Sequence, residues 1–160
     1  MIKKLKNSNC VRIHYGVEAG TDKILKVLNK GITLKQVEDA FRITKRYGIL
    51  TLAYFMIGSP SETREDILET ISFAKRLSPD YVHITLTTPF PATNLYKMAL
   101  NNKLYEKDYW REFALNPSRG VVSRYWEKEL SKKELMDLLK LAYKSFYSRP
   151  SYIFSNILKI

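Results

Sequence analysis

Cysteine and histidine are scarce in this chain of 160 residues, which contains one cysteine and two histidines. The lone Cys10 excludes an internal disulfide and leaves no cysteine pair for zinc or an iron–sulfur cluster. His14 and His83 are too few to hold a metal without help from carboxylates. We therefore expect no metal site built from the residues of this chain.

Long apolar runs are also absent. No stretch of about 18 apolar residues is present, so we expect no membrane-spanning helix. The first ten residues, MIKKLKNSNC, lack the apolar core of a signal peptide. Together with the low cysteine content, this leads us to expect a reducing, cytoplasmic setting.

Acidic residues are outnumbered, with 16 Asp and Glu against 27 Lys and Arg and a formal net charge of +11. The excess is spread evenly along the chain, whereas a clustered patch would indicate nucleic acid or anionic lipid. We therefore do not expect nucleic acid as a partner. The alternative left open is a non-catalytic basic module that binds RNA, an anionic membrane surface or a partner chain.

Three short hydrophobic segments predict three strands in the first hundred residues. Residues 10–17 and 81–87 alternate between apolar and polar side chains. Residues 50–57, LTLAYFMI, form an uninterrupted apolar run, which is typical of a strand buried on both faces.

Helical patterns separate these strands. Thr21 is suited to cap a short helix that Gly31 would close, and Thr33 to Gln36 forms a capping box for the next helix. An apolar stripe of Ile67, Leu68, Ile71 and Ala74 predicts a further helix, and Ser131 to Glu134 opens an amphipathic helix that runs to about Tyr147. The strand–helix alternation predicts an α/β fold with a parallel sheet.

Three loops follow the predicted strands, at the edge where parallel α/β folds bind ligands. A carboxylate such as Glu18 could accept hydrogen bonds from a ribose diol, or it could be a solvated residue capping the helix at Thr21. Gly58 would allow a close backbone approach to a ligand, or it could belong to an ordinary turn. The aromatic residues near the C-terminus are typical of a packing face: Tyr143, Phe146, Tyr147, Tyr152 and Phe154.

Four linked segments resemble the second half of a radical S-adenosylmethionine (SAM) enzyme. They are YGVEAGT at 15–21, KGIT at 30–33, FMIGSPSET at 55–63 and PFPATNLY at 89–96. The segment KSFYSRPSYIF at 144–154 resembles the tail of the branch that carries an N-terminal cobalamin-binding domain. The resemblance implies that residues 1–101 form the C-terminal half of a (β/α)6 barrel of the TIM type. Residues 102–160 would form a mainly helical extension.

In this family a C-x3-C-x2-C loop binds a [4Fe–4S] cluster, and SAM on that cluster is cleaved reductively to a 5′-deoxyadenosyl radical. The cobalamin branch also transfers methyl groups through the corrinoid. This chain lacks the cysteine loop and the first three barrel strands, so the ligands of both metal cofactors are absent from it. We therefore expect a fragment that is not catalytically competent alone. Its expected partner is the missing N-terminal half of the barrel. A half-barrel would also expose an edge strand at Val11 to Val17, so self-association through that edge is a second expectation.

The resemblance implies six SAM-binding positions. Glu18 would meet the ribose or the amino-acid part, the 58–60 loop would lie along the adenine, and two threonines would line the cleft. These positions are Glu18, Gly58, Ser59, Pro60, Thr85 and Thr87. Two residues depart from the family pattern, because Ala19 stands where serine is common and Ala92 where glycine is common. No catalytic residue is assigned.

Overall fold

The computed structural model describes residues 1–118, 122 and 124–157. Its elements follow in chain order: α1 Ile2–Asn7, β1 Arg12–Glu18, α2 Asp22–Val27, α3 Leu34–Arg46, β2 Leu50–Ile57, α4 Arg64–Leu77, β3 Tyr81–Leu86, α5 Asn94–Asn101, α6 Tyr109–Leu115, α7 Lys132–Tyr147 and α8 Pro150–Ile157. The predicted extension, 102–160, includes residues 119–121, 123 and 158–160, which lie outside the described residues. Within the described ranges, no helix is long and apolar enough to cross a bilayer.

The three strands form one parallel sheet in the order β1-β2-β3. Helices connect consecutive strands, as parallel pairing requires. The predicted α/β class and the three parallel strands of a partial barrel are therefore confirmed.

Capping sets most helix boundaries where the sequence predicts them. The side chain of Thr21 accepts from the amide of Ile24, and Thr33 forms the predicted capping box with Gln36. The predicted closure of α2 by Gly31 is wrong. Asn29 takes the left-handed conformation at the end of this helix (φ 51°), and Lys30 N–H returns to Leu25 C=O at 2.9 Å. Asparagine fills this role because it tolerates positive φ better than most residues.

Strand β2 is buried on one face only, so the predicted burial on both faces is wrong. The side chains of Thr51, Ala53, Phe55 and Ile57 are buried, whereas Tyr54 is 37% exposed. We call the uncovered side of the sheet the open face. It is apolar along β2, and for that reason the sequence of this strand looks like one with two buried faces.

The main core lies on the other side of the sheet. Helices α3, α4 and α7 pack there against the inward residues of the strands, through side chains such as Phe41, Ile67, Phe73 and Leu138. Leu68, predicted to share the buried stripe of α4, is 37% exposed. Because α7 contributes to this core, it packs on the sheet and on helices α3 and α4 rather than standing apart from them.

Tyrosines from the extension cover the free edge of β3. Tyr143 Oη accepts from Ile84 N–H at 2.9 Å and donates to Ile84 C=O at 3.0 Å. Tyr147 makes the same pair of bonds with Val82, at 3.1 and 2.9 Å. The two tyrosines are one helical turn apart, and Val82 and Ile84 are alternate strand residues, so the spacings match. Four of the predicted packing residues lie on the core, and two of them also cover the strand edge. The prediction is wrong for Phe154, which is 66% exposed.

A second, smaller cluster is almost entirely aromatic. It joins α5, α6 and the segment before α7 through Tyr96, Tyr105, Tyr109 and Trp126. Tyr96 donates a hydrogen bond to Asp108, the N-cap residue of α6. This cluster fixes the start of the extension against the loop that follows β3.

Candidate active-site edge

Glu18 ends β1 in a strained conformation. Its φ is +73°, and the register with β2 shifts between Gly16 and Glu18, so the strand bulges there. The carboxylate folds back over Gly16, where an added Cβ would lie 2.6 Å from Glu18 Oε1. Lys30 Nζ holds the same oxygen at 2.9 Å. The side chain is 20% exposed, so it is oriented yet still reachable from solvent.

The loop after β2 begins at Gly58, which has φ +78°. A Cβ at this position would lie 2.8 Å from Leu135 Cδ2 on α7. Gly58, Ser59 and Pro60 are all buried. Both the backbone conformation and the close contact require glycine at 58, which supports a specific loop shape over an ordinary turn.

Ser59 and Thr87 contact each other rather than an open cleft. Their hydroxyls are 3.0 Å apart, and both residues are at most 1% exposed. Thr87 N–H also donates to Ile57 C=O at 2.9 Å. This pair joins the loop after β2 to the end of β3. The two buried side chains therefore support the loop from within the protein.

Glu62 is a buried carboxyl group that sequence reasoning missed. It is 1% exposed, its Oε2 accepts from Ser59 N–H at 2.8 Å, and its Oε1 has no protein partner among the described residues. Burial raises the pKa of Glu62 to about 7, against the opposing effect of the Ser59 amide. No feature of the sequence separates Glu62 from an exposed first-turn glutamate such as Glu65, because only the tertiary packing buries it.

Thr85 lies on the open face, and it is exposed. It pairs in register with Met56, next to the row in which Phe55 pairs with Glu18. Further down the same face, Tyr54 Oη lies 3.3 Å from His14 Nδ1, and the ring of Tyr54 meets that of His83 edge-on. The open face therefore presents hydroxyl and imidazole groups below the carboxyl edge.

The loop after β3 contains Ala92 at φ +63°. This is the conformation that glycine adopts most easily, and Ala92 is the position at which the family pattern has glycine. Trp110 Nε1 donates to Pro89 C=O at 3.3 Å and so holds this loop against α6.

The six predicted positions therefore separate into three groups. Glu18 and Thr85 lie toward the open face, and the 58–60 loop is a rigid, buried support beside them. Thr87 supports that loop through its hydrogen bond with Ser59. Sequence reasoning also missed Trp126 and Glu129 of the extension, which contact these loops.

This edge fits SAM but not an iron–sulfur cluster. Gly16 makes room for the Glu18 carboxylate, because an added Cβ would lie 2.6 Å from Glu18 Oε1. This carboxylate can accept hydrogen bonds from the hydroxyl or ammonium groups of SAM. A cluster requires several thiolates, and this chain has a single cysteine. A parallel α/β sheet with its polar loops at the carboxyl edge defines the general class of α/β ligand-binding folds.

Comparison with known proteins narrows that class. Residues 1–74 match the family model of the radical SAM superfamily. An uncharacterized methyltransferase of Pyrococcus horikoshii is 36% identical over 155 residues, which is 97% of this chain and 33% of that protein. The chain belongs to the radical SAM superfamily.

Two further relatives carry more specific names. The anaerobic magnesium-protoporphyrin IX monomethyl ester cyclase of Cereibacter sphaeroides is 29% identical over 149 residues, 93% of this chain and 23% of that protein. The tRNA-2-methylthio-N(6)-dimethylallyladenosine synthase of a Sulfurihydrogenibium species is 33% identical over 86 residues, 52% of this chain and 20% of that protein. The chain thus spans about a third or less of the length of the relatives it matches.

Proposed function

We propose that this chain supplies one wall of the SAM cleft in a radical SAM enzyme, while the cysteine loop for the cluster lies in another part of that enzyme. The observation that carries this proposal is the oriented Glu18 carboxylate over Gly16, at the carboxyl edge of a sheet whose sequence matches the family. Full-length members of the family use SAM and a [4Fe–4S] cluster. That cluster would supply the electron that cleaves SAM.

Within this role the residues have distinct tasks. Glu18 accepts hydrogen bonds from the ribose or the amino-acid part of SAM, and Lys30 orients its carboxylate through the 2.9 Å ion pair. The 58–60 loop provides a rigid surface along the adenine, braced by Thr87 and Leu135. Thr85 faces the cleft from the neighbouring strand.

We further propose methyl transfer through cobalamin as the reaction subtype. Two features support it: the resemblance of residues 144–154 to the tail of the cobalamin branch, and a relative named as a methyltransferase that aligns with 97% of the chain. The corrinoid and the cluster would both be held outside residues 1–101, the barrel segment of our proposal.

The open sheet supports a partner at β1. Within the described residues β1 pairs only with β2, whereas tyrosines cover the opposite edge of the sheet at β3. Beside β1 lies an apolar groove of about 180 Å³, lined by residues that include Tyr15, Ile32, Ala40 and Phe41. We propose that a parallel strand from the cluster-binding half of the barrel occupies this edge.

Calorimetric titration with S-adenosylhomocysteine tests the SAM site. Wild-type chain should bind it, and Glu18→Gln should weaken binding about tenfold, as expected when a charged hydrogen-bond acceptor is replaced by a neutral one. Glu65→Gln, at an exposed glutamate of α4, should bind as wild type does. Equal affinity of wild type and Glu18→Gln would contradict the role of Glu18.

Two experiments test the division between the halves. Anaerobic reconstitution with iron and sulfide should give no [4Fe–4S] absorbance on this chain alone, and a stable cluster would contradict the proposal. Co-purification with a polypeptide carrying the cysteine-loop half should be lost in Ala40→Lys, which places a charge in the groove beside β1. Leu68→Lys on the outer side of α4 should leave it intact, and equal loss in both variants would argue against the groove.

A further inference from the structure

The C-terminal extension touches the carboxyl edge of the sheet at three points. Trp126 N–H donates to Thr87 C=O at 3.0 Å, and Ser61 N–H donates to Glu129 Oε1 at 3.0 Å. The side chain of Leu135 packs directly on Gly58. We call residues 126–135 the anchor segment, because each contact reaches a loop of the candidate site.

Glu129 joins two of these contacts. While Oε1 accepts from the Ser61 amide, Oε2 accepts from Trp126 Nε1–H at 2.6 Å. Trp126 is 2% exposed and belongs to the aromatic cluster. A rigid, buried ring therefore fixes the carboxylate, and the carboxylate in turn fixes the loop. Ionised acceptors make the stronger hydrogen bonds in proteins.

Ser61 needs such a partner because its backbone is strained. Its φ is +61°, a conformation that non-glycine residues rarely adopt. Two carboxyl groups hold the loop, since Glu62 accepts from the amide of Ser59 and Glu129 accepts from that of Ser61. Glu62 belongs to the loop, whereas Glu129 lies 68 residues further along the chain.

We propose that Glu129 is a positioning residue that makes SAM binding by the 58–61 loop depend on the docking of the C-terminal extension. This inference rests on the proposed function. It adds that the extension is more than a cover for the sheet, because displacing the anchor segment would release the Ser61 amide and the loop with it. A ligand that moves the extension would thereby change the affinity for SAM.

The test compares Glu129→Ala and Glu129→Gln in the full chain, with Glu127→Ala as the matched control. Glu127 is exposed and lies in the same segment, and within the part of the chain that the structure describes no hydrogen bond or ion pair joins it to the loops. We would measure hydrogen exchange of the Ser61 amide by NMR, affinity for S-adenosylhomocysteine by calorimetry, and the thermal midpoint. The thermal midpoint checks that each variant is folded.

In Glu129→Ala, the Ser61 amide should exchange about tenfold faster and S-adenosylhomocysteine should bind about tenfold more weakly, while the chain still shows a single cooperative thermal transition. Glu129→Gln should recover part of both effects, because its amide oxygen can still accept from Ser61. Glu127→Ala should match wild type in all three measurements.

Unchanged Ser61 exchange in Glu129→Ala would overturn the inference, and so would faster exchange with unchanged affinity. Both outcomes leave the proposed function intact, provided that wild type binds S-adenosylhomocysteine. A wild-type chain that does not bind it contradicts the proposed function, and the inference falls with it.

Discussion

Replacing Glu62 by glutamine should remove a large pH-dependent part of the stability of this chain. Glu62 is 1% exposed, and its pKa rises from 4.5 to about 7 in the folded protein because burial disfavours the charged form. The folded state therefore binds this proton more tightly than the unfolded state does. Its contribution to the free energy of unfolding is fully present below pH 4.5 and is lost as the pH rises through 7.

The shift sets the size of the effect. At about 1.4 kcal/mol for each pKa unit, wild type should lose about 3 kcal/mol from this group between pH 4.5 and 8. Glutamine cannot ionise, and its carbonyl oxygen can still accept from the Ser59 amide. Glu62→Gln should therefore match wild type within about 1 kcal/mol near pH 5 and exceed it by about 2–3 kcal/mol at pH 8.

The other carboxyl groups with shifted pKa values change their contribution to stability below this pH range. The groups whose pKa is lowered contribute stability that is lost only as the pH falls below about 4. They are Asp39, Asp66, Asp108 and Glu134. In Asp66 burial acts to raise the pKa, but hydrogen bonds from Lys23 and Thr63 outweigh it.

The assay is urea denaturation followed by far-UV circular dichroism at several pH values from 5 to 8. The quantity to compare is the free energy of unfolding of Glu62→Gln minus that of wild type, with exposed Glu65→Gln as the control. A difference that rises by about 2–3 kcal/mol between pH 5 and 8 supports the argument. A difference independent of pH, or one equal to that of the control, would refute it.

Three further substitutions test the packing around the site, each by urea denaturation. Tyr143→Phe should lower the free energy of unfolding by about 1–3 kcal/mol, because it leaves the amide and carbonyl of Ile84 unpaired. Tyr47→Phe, at an exposed tyrosine, should lower it little. Equal losses would contradict the role of Tyr143 in covering the edge of β3. Gly58→Ala should lower the free energy of unfolding clearly more than Gly31→Ala. Both glycines have positive φ, but an added Cβ meets Leu135 at 58 and open space at 31. Similar losses would mean that the Leu135 side chain moves aside at little cost. Ala92→Gly should raise the free energy of unfolding by about 1 kcal/mol, while Ala40→Gly within α3 should lower it by about as much; a loss on Ala92→Gly would argue against the left-handed backbone at 92.

The sequence predicts the strands and most helix boundaries well, because these depend on local patterns. The capping box at Thr33 and the alternation in β1 and β3 require only neighbours a few residues apart. The closure of α2 was predicted wrongly at Gly31. Two residues just after this helix, Asn29 and Gly31, tolerate positive φ, and only the hydrogen bond from Lys30 to Leu25 distinguishes Asn29.

Burial and long-range contacts are much less accessible from the sequence. The apolar composition of β2 does not reveal that one face is uncovered within the described residues. An apolar residue gives the same sequence pattern whether or not other residues bury it. The bonds of Tyr143 and Glu129 join residues 59 and 68 positions apart. No periodicity records such a pairing, so these roles could be found only from the structure.

The location of the SAM site can be tested most directly by a residue-resolved NMR titration of the chain with S-adenosylhomocysteine. If the carboxyl edge is the site, amide signals should shift at Glu18, Gly58, Ser59 and Thr85, while those on the outer faces of α3 and α4 stay in place. Shifts confined to another surface, such as the aromatic cluster around Tyr109, or no shifts at millimolar ligand, would contradict the claim that this edge forms a wall of the SAM cleft.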